Sequence, residues 1–473
     1  MRKLQSADFI KKVQKGEIDV VEHTHKVLEE AKKINKEYHY FNTISEDLAI
    51  ESAKAVKKNP KGKLAGLPVS VKDCIVVKGV ESRAGSKILS GYKPVFDATV
   101  IEKVRKEGGI IIGKTAQDEF GFGTFSTNVG VVMKIPLNPL DKARACGGSS
   151  GGAAGIAQKT SFPHIAISES TGGSIVAPAS FCGVAGICPT YGRVSRYGLM
   201  DYTNSMDKIG AIGKSVEDAA LLLQTIAGFD EKESTSINEP VDNYFDFIGK
   251  IVKNMKIGVI KETLGKGTDA EIVKSVNQAV KGFEELGVKN EEVSLPLALK
   301  YGVEAYYLLA MSETSTNLAK FCGMRYGKHE KLEGSFNDYF SKVRSANFGE
   351  EAKRRVIIGT FARMAGFRDA YYIKAAKVRT KIIEEYKKAF KKFDVLVCPT
   401  MPIVAPKFSE IDKLTPLQNY MMDIMTAAPN LAGLPHITIP CGIKDGMPVG
   451  LMLVGNHLME RKILQLAAAY EQK

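Results

Sequence analysis

The sequence is poor in the residues that build disulfide frameworks and metal sites. Its seven cysteines are widely spaced, odd in number and without a Cys-x-x-Cys pair, and the 473 residues include only seven histidines. This pattern argues against a disulfide framework and against a zinc site. No apolar run approaches the roughly 20 residues needed to span a bilayer, and the chain starts with an amphipathic pattern rather than a signal peptide. We therefore expect a cytoplasmic protein that holds no metal and contacts no membrane.

The composition is that of a globular protein with an excess of positive charge. Hydrophobic residues make up 44% and charged residues 25%, and 66 lysines and arginines outnumber 53 acidic residues to give a net charge of +13. Such a charge permits attraction to nucleic acid or to an acidic partner. The basic clusters at 57–63 and 387–392 have no aromatic platform beside them, which favours solvated surface faces. A basic nucleic-acid-binding protein without catalysis remains an alternative.

Hydrophobic periodicity predicts alternating helices and strands. Apolar residues at helical spacing predict helices in the first sixty residues, and the alternation over 67–72 predicts a short strand that ends at Lys72. Further helices are predicted at 98–106, 269–286, 370–393 and 458–472, and strands at 110–112, 288–293, 394–398, 436–440 and 449–454. We predict an α/β fold with a mixed, largely parallel central sheet covered by helices on both faces. Residues 1–473 are expected to form a single domain, with an N-terminal helical segment at about 1–60.

Two short motifs suggest functions that their surroundings do not favour. Residues 108–115 satisfy the P-loop pattern, but three isoleucines occupy its loop positions and suit a strand better than a phosphate cradle. Residues 147–151 fit the nucleophile elbow G-x-S-x-G, which requires a preceding core strand. The preceding segment, 138–144, is polar and broken by proline. The sequence alone leaves open whether one of the downstream histidines serves such an elbow: His164, His329, His436 and His457.

Glycine and serine are concentrated in two segments, whose serines Ser149 and Ser174 lie 25 positions apart. The first reads Gly147-Gly148-Ser149-Ser150-Gly151-Gly152 and the second Thr171-Gly172-Gly173-Ser174. Glycine is placed where the backbone must adopt φ > 0 or approach a ligand closely. The two segments therefore predict a site that presents serine hydroxyls and backbone N–H groups. A lysine can deprotonate such a serine when burial disfavours its charged form, and Lys72 at the end of a predicted core strand is the candidate.

These segments, in this order, resemble the amidase signature family, and the resemblance covers nearly the whole chain. It extends through residues 67–73, 178–183 and 189–198. The resemblance implies that Ser174 is the acyl-accepting nucleophile, Ser149 the bridging serine and Lys72 the base. It also implies a cis peptide at the bridging serine and an oxyanion hole formed by the backbone of Thr171, Gly172 and Gly173, with the amide of Ser174. The chain differs from the family's usual residues at three nearby positions: Ser170, Val176 and Cys188.

Later stretches are most similar to one branch of that family, the A subunits of glutamine-dependent aminoacyl-tRNA amidotransferases. They include residues 348–355, 369–372 and 430–435. This resemblance implies that Arg355 binds the α-carboxylate of glutamine and Asp423 its α-ammonium, with a tyrosine nearby at Tyr306 or its neighbour Tyr307. Arginine's planar fork suits a carboxylate.

The same resemblance implies a glutaminase that supplies ammonia for converting Glu-tRNA(Gln) to Gln-tRNA(Gln), or Asp-tRNA(Asn) to Asn-tRNA(Asn). Its partners would be a B and a C subunit in a heterotrimer, with the misacylated tRNA bound through the B subunit. No cofactor is expected in this chain, and ATP and Mg²⁺ would be used by the partner subunit. A stand-alone amidase acting on a small amide is the alternative enzyme.

Overall fold

The computed structural model describes residues 5–473, and its core is a single sheet of 11 strands. The sheet order is β1-β3-β2-β4-β6-β5-β10-β11-β9-β7-β8. The strands are β1 Phe41–Ile44, β2 Pro68–Lys72, β3 Ile110–Thr115, β4 Ile165–Ser170, β5 Ala185–Cys188, β6 Lys208–Gly213, β7 Lys256–Ile260, β8 Lys289–Val293, β9 Val395–Pro399, β10 His436–Lys444 and β11 Met447–Gly455. The predicted α/β class is confirmed. Only four of the ten strand pairings are parallel, so the sheet is mixed with a smaller parallel share than predicted.

Helices pack around this sheet, and the longer ones lie close to their predicted positions. They are α1 Ser6–Gln14, α2 Val20–Tyr38, α3 Glu46–Lys58, α4 Thr99–Lys106, α5 Gly151–Lys159, α6 Val176–Cys182, α7 Val216–Ile226, α8 Ala270–Glu285, α9 Pro296–Asn317, α10 Phe336–Asn347, α11 Glu350–Arg363, α12 Lys374–Ala389, α13 Phe408–Ile411, α14 Pro416–Met421, α15 Ala427–Leu431 and α16 Glu460–Glu471. No helix in the part of the chain from residue 5 onward is both long and apolar enough to cross a bilayer.

The N-terminal segment differs from the all-helical prediction, because β1 interrupts it between α2 and α3. This strand pairs antiparallel with β3 at the edge of the sheet, where Phe41 lies opposite Thr115. Aromatic and β-branched residues such as Phe41, Thr43 and Ile44 favour strands when an open edge is available to them. The single-domain assignment stays a prediction.

The P-loop pattern lies in a strand, as the isoleucines predict. Ile110, Ile111 and Ile112 begin β3, and Lys114 is fully buried in the same strand. The ammonium group of Lys114 donates to the carbonyl of Asp73 at 3.1 Å and to the hydroxyl of Ser82 at 2.8 Å. The lysine of this motif is therefore held inside the protein and does not face a nucleotide cradle.

Three strand ends meet at one edge of the sheet and position the candidate site. β2 runs parallel to β4, with Val71 opposite Ile167, so both strands end at the same edge. β6 runs antiparallel to β4, with Lys208 opposite Ser170, and therefore begins where β4 ends. Ligands of α/β sheets bind at the carboxyl ends of their strands. Side chains at the end of β2, at the end of β4 and just before β6 are consequently brought together.

Candidate active site

Lys72, the last residue of β2, is buried with three hydrogen-bond acceptors around its ammonium group. Its Nζ donates to Ser149 Oγ at 2.7 Å, to the Glu169 carbonyl at 2.9 Å and to Glu169 Oε2 at 2.8 Å. Neither side chain of the Lys72–Glu169 ion pair is appreciably exposed. The structure thus brings together Lys72 and Ser149, the predicted base and bridging serine. It also places the carboxylate of Glu169 beside them, which was not predicted.

Ser149 lies in a turn that is shaped by Asp118. A cis peptide joins Gly148 to Ser149, which confirms the cis peptide implied by the resemblance. The carboxylate of Asp118 accepts the amides of Ser126 and Asn128, and a Cβ at position 148 would overlap it. Burial raises the pKa of Asp118 to about 6. Glycine is therefore required at 148 by close approach to this carboxyl group.

The Ser174 loop, residues 171–174, follows β4 and contacts Tyr306 and Thr426. A Cβ at Gly172 would overlap the ring of Tyr306, and a Cβ at Gly173, where φ is +147°, would overlap Thr426. The hydroxyl of Thr426 donates to the Gly172 carbonyl at 2.6 Å. The glycines at 172 and 173 let these two side chains contact the backbone directly next to Ser174.

Proton transfer from Ser174 through Ser149 to Lys72 would need two hydrogen bonds, and the structure contains the one between Ser149 and Lys72. Within residues 5–473 the hydroxyl of Ser174 has no hydrogen-bond partner, so no bond joins it to Ser149. Among the predicted oxyanion donors, the amide of Gly173 donates to Ser170 Oγ at 3.2 Å. The amides of Thr171, Gly172 and Ser174 have no acceptor in the described chain. Of these three residues, Gly172 and Ser174 line the cavity next to the Ser174 hydroxyl, whereas the amide of Gly173 is already engaged.

Ser174 opens into a small cavity that also contains the residues predicted to bind substrate. Its lining includes Ser174, Tyr306, Tyr307, Arg355 and Asp423. A wider cleft of about 340 Å³ adjoins this inner cavity and shares Gly123, Tyr307 and Arg355 with it. The nucleophile candidate and both charged substrate-binding candidates, which are distant in the sequence, therefore face a single space.

Arg355, on α11, is almost fully buried in a cage of aromatic rings. Its Nε donates to Glu351 at 2.8 Å and its Nη1 to the Tyr202 hydroxyl at 2.5 Å. The guanidinium carbon lies 5.0–5.6 Å from the centroids of four rings, those of Phe122, Tyr202, Tyr307 and Tyr420. Such a cage desolvates the cation and fixes its plane, which strengthens its interaction with any anion in the cavity.

Asp423 lies opposite, and its carboxylate is bound by two hydroxyl groups. Tyr307 donates to Oδ2 at 2.6 Å and Thr124 donates to Oδ1 at 3.1 Å. Burial raises the pKa of Asp423 to about 6. Tyr307 therefore contacts Asp423 while its neighbour Tyr306 packs on the Ser174 loop, so the two tyrosines left open by the sequence have different positions in one cavity.

The sequence did not single out the carboxyl groups Glu169, Asp207 and Glu351. Glu169 could have been recognised, because it is the one charged residue of β4, and a charged residue in a core strand requires a partner. Asp207 gives no such signal, since it comes before β6 and reaches the site only through the pairing of β4 with β6. Glu351 stands four residues before Arg355 on a helix, a spacing typical of ion pairs.

The nucleophile-elbow interpretation is not supported by the structure. The chain before Ser149 forms a turn rather than a core strand. His164 contacts Ser70, His329 contacts the Gly323 carbonyl, His436 contacts Asn430 and the Leu434 carbonyl, and His457 contacts the Ala432 carbonyl. None of these four histidines, all within the described residues, bonds to Ser149 or Ser174.

The three unusual positions near the Ser174 loop form a buried cluster without a charged side chain. Ser170 accepts the amide of Gly173, Val176 begins α6, and the thiol of Cys188 lies 3.8 Å from Asn430 Oδ1. All three are fully buried. The charged side chains next to these positions are Glu169, one residue before Ser170, and Lys208, which contacts Cys188.

Comparison with known proteins decides the family. The family model described as Amidase matches residues 22–464. The chain belongs to the amidase family. This amidase is 46% identical over 439 residues to a protein of Microcystis aeruginosa named as the A subunit of glutamyl-tRNA(Gln) amidotransferase, with 91% of this chain and 89% of that protein covered. It is 44% identical over 431 residues to the protein of the same name from Methanococcoides burtonii, with 91% and 89% covered.

Solved structures place this amidase in the same fold. The crystal structure of the A subunit of glutamyl-tRNA(Gln) amidotransferase from Thermotoga maritima superimposes with a TM-score of 0.82 at 35% identity, covering 100% of this chain and 95% of that one. A native peptide amidase from Stenotrophomonas maltophilia superimposes with a TM-score of 0.82 at 26% identity, covering 100% and 97%. The sequence-based assignment to the amidase signature family is therefore confirmed.

Proposed function

We propose that this amidase is the glutamine-hydrolysing subunit of a tRNA-dependent amidotransferase, and that it supplies ammonia for converting Glu-tRNA(Gln) to Gln-tRNA(Gln) or Asp-tRNA(Asn) to Asn-tRNA(Asn). One observation carries the proposal: Ser174, Arg355 and Asp423 line a single cavity next to the Lys72–Ser149 hydrogen bond. The name shared by its relatives supports the same activity. A cation and an anion in one cavity suit a zwitterionic amino acid and argue against an apolar amide as substrate.

The chemistry is acyl transfer through Ser174. Its Oγ attacks the side-chain amide carbon of glutamine while its proton passes through Ser149 to neutral Lys72. The free amides of Thr171, Gly172 and Ser174 would bind the oxyanion, and one such donor is typically worth about 10²-fold or more in rate. The proton returns through Ser149 to the leaving ammonia, and water then releases glutamate from the acyl-enzyme.

Arg355 can bind the α-carboxylate without losing its present partners. A guanidinium group has five N–H donors, and Glu351 and Tyr202 use two of them. The remaining donors can form the paired hydrogen bonds that arginine makes to carboxylates. Asp423, held by Tyr307 and Thr124, would bind the α-ammonium group.

The remaining steps would belong to partner subunits. The misacylated tRNA would bind through a B subunit, which would use ATP and Mg²⁺ to activate the tRNA-bound carboxylate, and a C subunit would complete a cytoplasmic heterotrimer. The relatives are named as one component of a multi-subunit amidotransferase, which supports assembly into a complex.

Binding of glutamine should weaken in mild acid because of Asp423. Its carboxyl group must be ionised to bind an ammonium group, and burial raises its pKa to about 6. We expect the KM for glutamine to rise about tenfold per pH unit as the pH falls below about 6. The measurement is a KM series for ammonia release between about pH 5 and pH 8. An amide without an α-amino group should show no such rise, and a parallel rise for both substrates would contradict the role of Asp423.

Reconstitution tests the function directly. The chain alone and the chain purified with its co-expressed B and C subunits are compared for ammonia release from glutamine and for amidation of Glu-tRNA(Gln) and Asp-tRNA(Asn). We expect amidation of at least one tRNA only in the complex, with ATP, Mg²⁺ and glutamine present. Rapid hydrolysis of small amides by the isolated chain, together with indifference to glutamine, would identify a stand-alone amidase instead.

A further inference from the structure

A line of buried polar groups continues behind Lys72, away from Ser149. Glu169 Oε2 accepts from Lys72 Nζ at 2.8 Å, and Thr171 Oγ1 lies 2.8 Å from Glu169 Oε1. The same hydroxyl lies 2.8 Å from Asp207 Oδ1. Lys72, Glu169, Thr171 and Asp207 are all buried. The order of groups is therefore Ser149, Lys72, Glu169, Thr171 and Asp207.

The hydroxyl of Thr171 cannot satisfy both carboxylates. It carries one hydrogen, while an ionised carboxylate only accepts hydrogen bonds. Two ionised groups at 2.8 Å on either side would leave one oxygen facing the hydroxyl oxygen without a hydrogen between them. One of the two carboxyl groups, Glu169 or Asp207, must therefore carry a proton and donate it to Thr171.

The surrounding contacts indicate that the proton resides on Asp207. Glu169 forms an ion pair with Lys72, so its ionised form is stabilised. Within residues 5–473 Asp207 forms no ion pair with a lysine or arginine, and its Oδ2 accepts the amides of Tyr202 at 2.8 Å and Thr203 at 2.9 Å. Its Oδ1 is left to donate to Thr171. Charged Lys72, ionised Glu169 and neutral Asp207 sum to zero charge, whereas an uncompensated buried charge is costly.

The electrostatic environment agrees with this assignment. Burial and the negative charge of Glu169 raise the pKa of Asp207 well above its ordinary value. The other titratable or charged groups that act on Lys72, Glu169 or Asp207 are Cys74, Asp118, Cys188, Arg196 and Tyr202. Arg196 favours ionisation of Asp207, but its guanidinium group is already paired with Glu233 at 2.8 Å.

We propose that Glu169 is the positioning residue of this active site: its ion pair holds Lys72 against Ser149 as an ammonium at rest, while neutral Asp207 orients Glu169 through Thr171. The proposal rests on the proposed function, because it assumes that Lys72 is the base for Ser174.

Lys72 acts as a base only after its ammonium group has lost one proton to water. When the N–H bond that points to Ser149 is the one that breaks, the lone pair left on Nζ faces the Ser149 hydroxyl. That lone pair accepts the proton that passes from Ser174 through Ser149 while Ser174 Oγ bonds to the amide carbon. The proton is then delivered to the leaving ammonia, and water releases glutamate. Glu169 stays ionised throughout, and no redox partner is required.

The test uses the assembled complex and a fluorophosphonate probe, which reports the nucleophile independently of glutamine and tRNA. The Ser174 Oγ–P bond forms, the P–F bond breaks and fluoride leaves, while the serine proton passes to Lys72. The rate of Ser174 labelling is followed by mass spectrometry as a function of pH. In Glu169→Gln the ammonium loses its opposite charge, so Lys72 becomes neutral at lower pH. The rising limb of the profile should move down by about one pH unit or more.

Asp207→Asn is the second variant, because asparagine reproduces a neutral acid at this position. Its Nδ2 can donate to Thr171 and its oxygen can accept the amides of Tyr202 and Thr203. We expect the rising limb to stay within about 0.3 pH units of wild type, since no charge is removed. If Asp207 were ionised, the same substitution would remove a negative charge and lower the limb as Glu169→Gln does.

Each outcome decides a separate point. A rising limb that Glu169→Gln does not move, in a folded complex, overturns the role of Glu169. A downward shift in Asp207→Asn as large as about one pH unit overturns the neutral acid, and this variant decides the proton's position even if Glu169→Gln fails to fold. Wild-type complex that is not labelled at Ser174 overturns the proposed function and this inference with it. If wild type is labelled at Ser174 but the two variants do not show the expected pH profiles, only the inference about Glu169 and Asp207 is overturned.

Discussion

Replacing Ser174 with alanine is expected to abolish glutamine hydrolysis, lowering kcat by about 10⁴-fold or more. The variant keeps the oxyanion amides and the substrate cavity but has no oxygen to form the acyl-enzyme. Since the Ser174 hydroxyl has no hydrogen-bond partner within residues 5–473, its removal leaves no buried polar group unpaired. Activity should therefore disappear while the thermal unfolding midpoint stays close to that of wild type.

The measurement is ammonia release from glutamine by the purified complex, together with mass spectrometric detection of the glutamyl-enzyme. Ser168→Ala is the matched control, because Ser168 is a buried serine on β4, the strand that leads into the Ser174 loop, and its hydroxyl also lacks a partner in the described chain. It should keep most of the activity. Ammonia release by Ser174→Ala within about tenfold of wild type would rule out the acyl-enzyme mechanism.

Replacing Arg355 with methionine should lower kcat/KM for glutamine by about 10²- to 10³-fold, because a desolvated charge pair with the α-carboxylate is lost. Methionine keeps an unbranched apolar side chain among the aromatic rings that surround the guanidinium group. Glu351 retains Arg354 and Tyr420 as partners in the variant. The loss should therefore appear in substrate binding rather than in folding.

The comparison of two substrates and two arginines makes this test specific. A small amide without charged ends should lose much less kcat/KM than glutamine in Arg355→Met. Arg354→Met is the control, since Arg354 pairs with the same carboxylate and lines the wider cleft but not the inner cavity. We expect it to have a minor effect on either substrate. Equal losses for glutamine and the neutral amide in Arg355→Met would contradict carboxylate recognition.

The parts of the fold that were predictable from the sequence are those set by local periodicity. Alternation over 67–72 marks β2 and puts Lys72 at its end, and the isoleucines of 110–112 mark β3 despite the P-loop pattern. Whether neighbouring strands run parallel or antiparallel was harder to predict, because it depends on which strands become neighbours. β1 was missed because four residues between two helices acquire strand structure only by pairing with β3.

In the site, too, only some residues could be predicted from their local sequence. Ser149 and Ser174 stand in glycine-rich segments that are conspicuous in the sequence, whereas Arg355 and Asp423 were reached through family resemblance. Glu169 depends on a contact between the ends of β2 and β4, and Asp207 on the turn before β6, so the link from either carboxyl group to the lysine has no signature in its own neighbourhood. Hydrogen-bond geometry, not residue type, reveals their relation.

Thr426 connects the Ser174 loop to the turn that carries Asp423. Its hydroxyl donates to Gly172 beside the nucleophile, and its amide donates to the carbonyl of Asp423 at 3.0 Å. A ligand that displaces the Asp423 turn therefore also displaces the loop that reacts. Selectivity for the amino end of a substrate and turnover cannot be tuned independently on that side of the cavity. Efforts to redirect this enzyme to other amides should therefore vary the Asp423 turn and the Ser174 loop together.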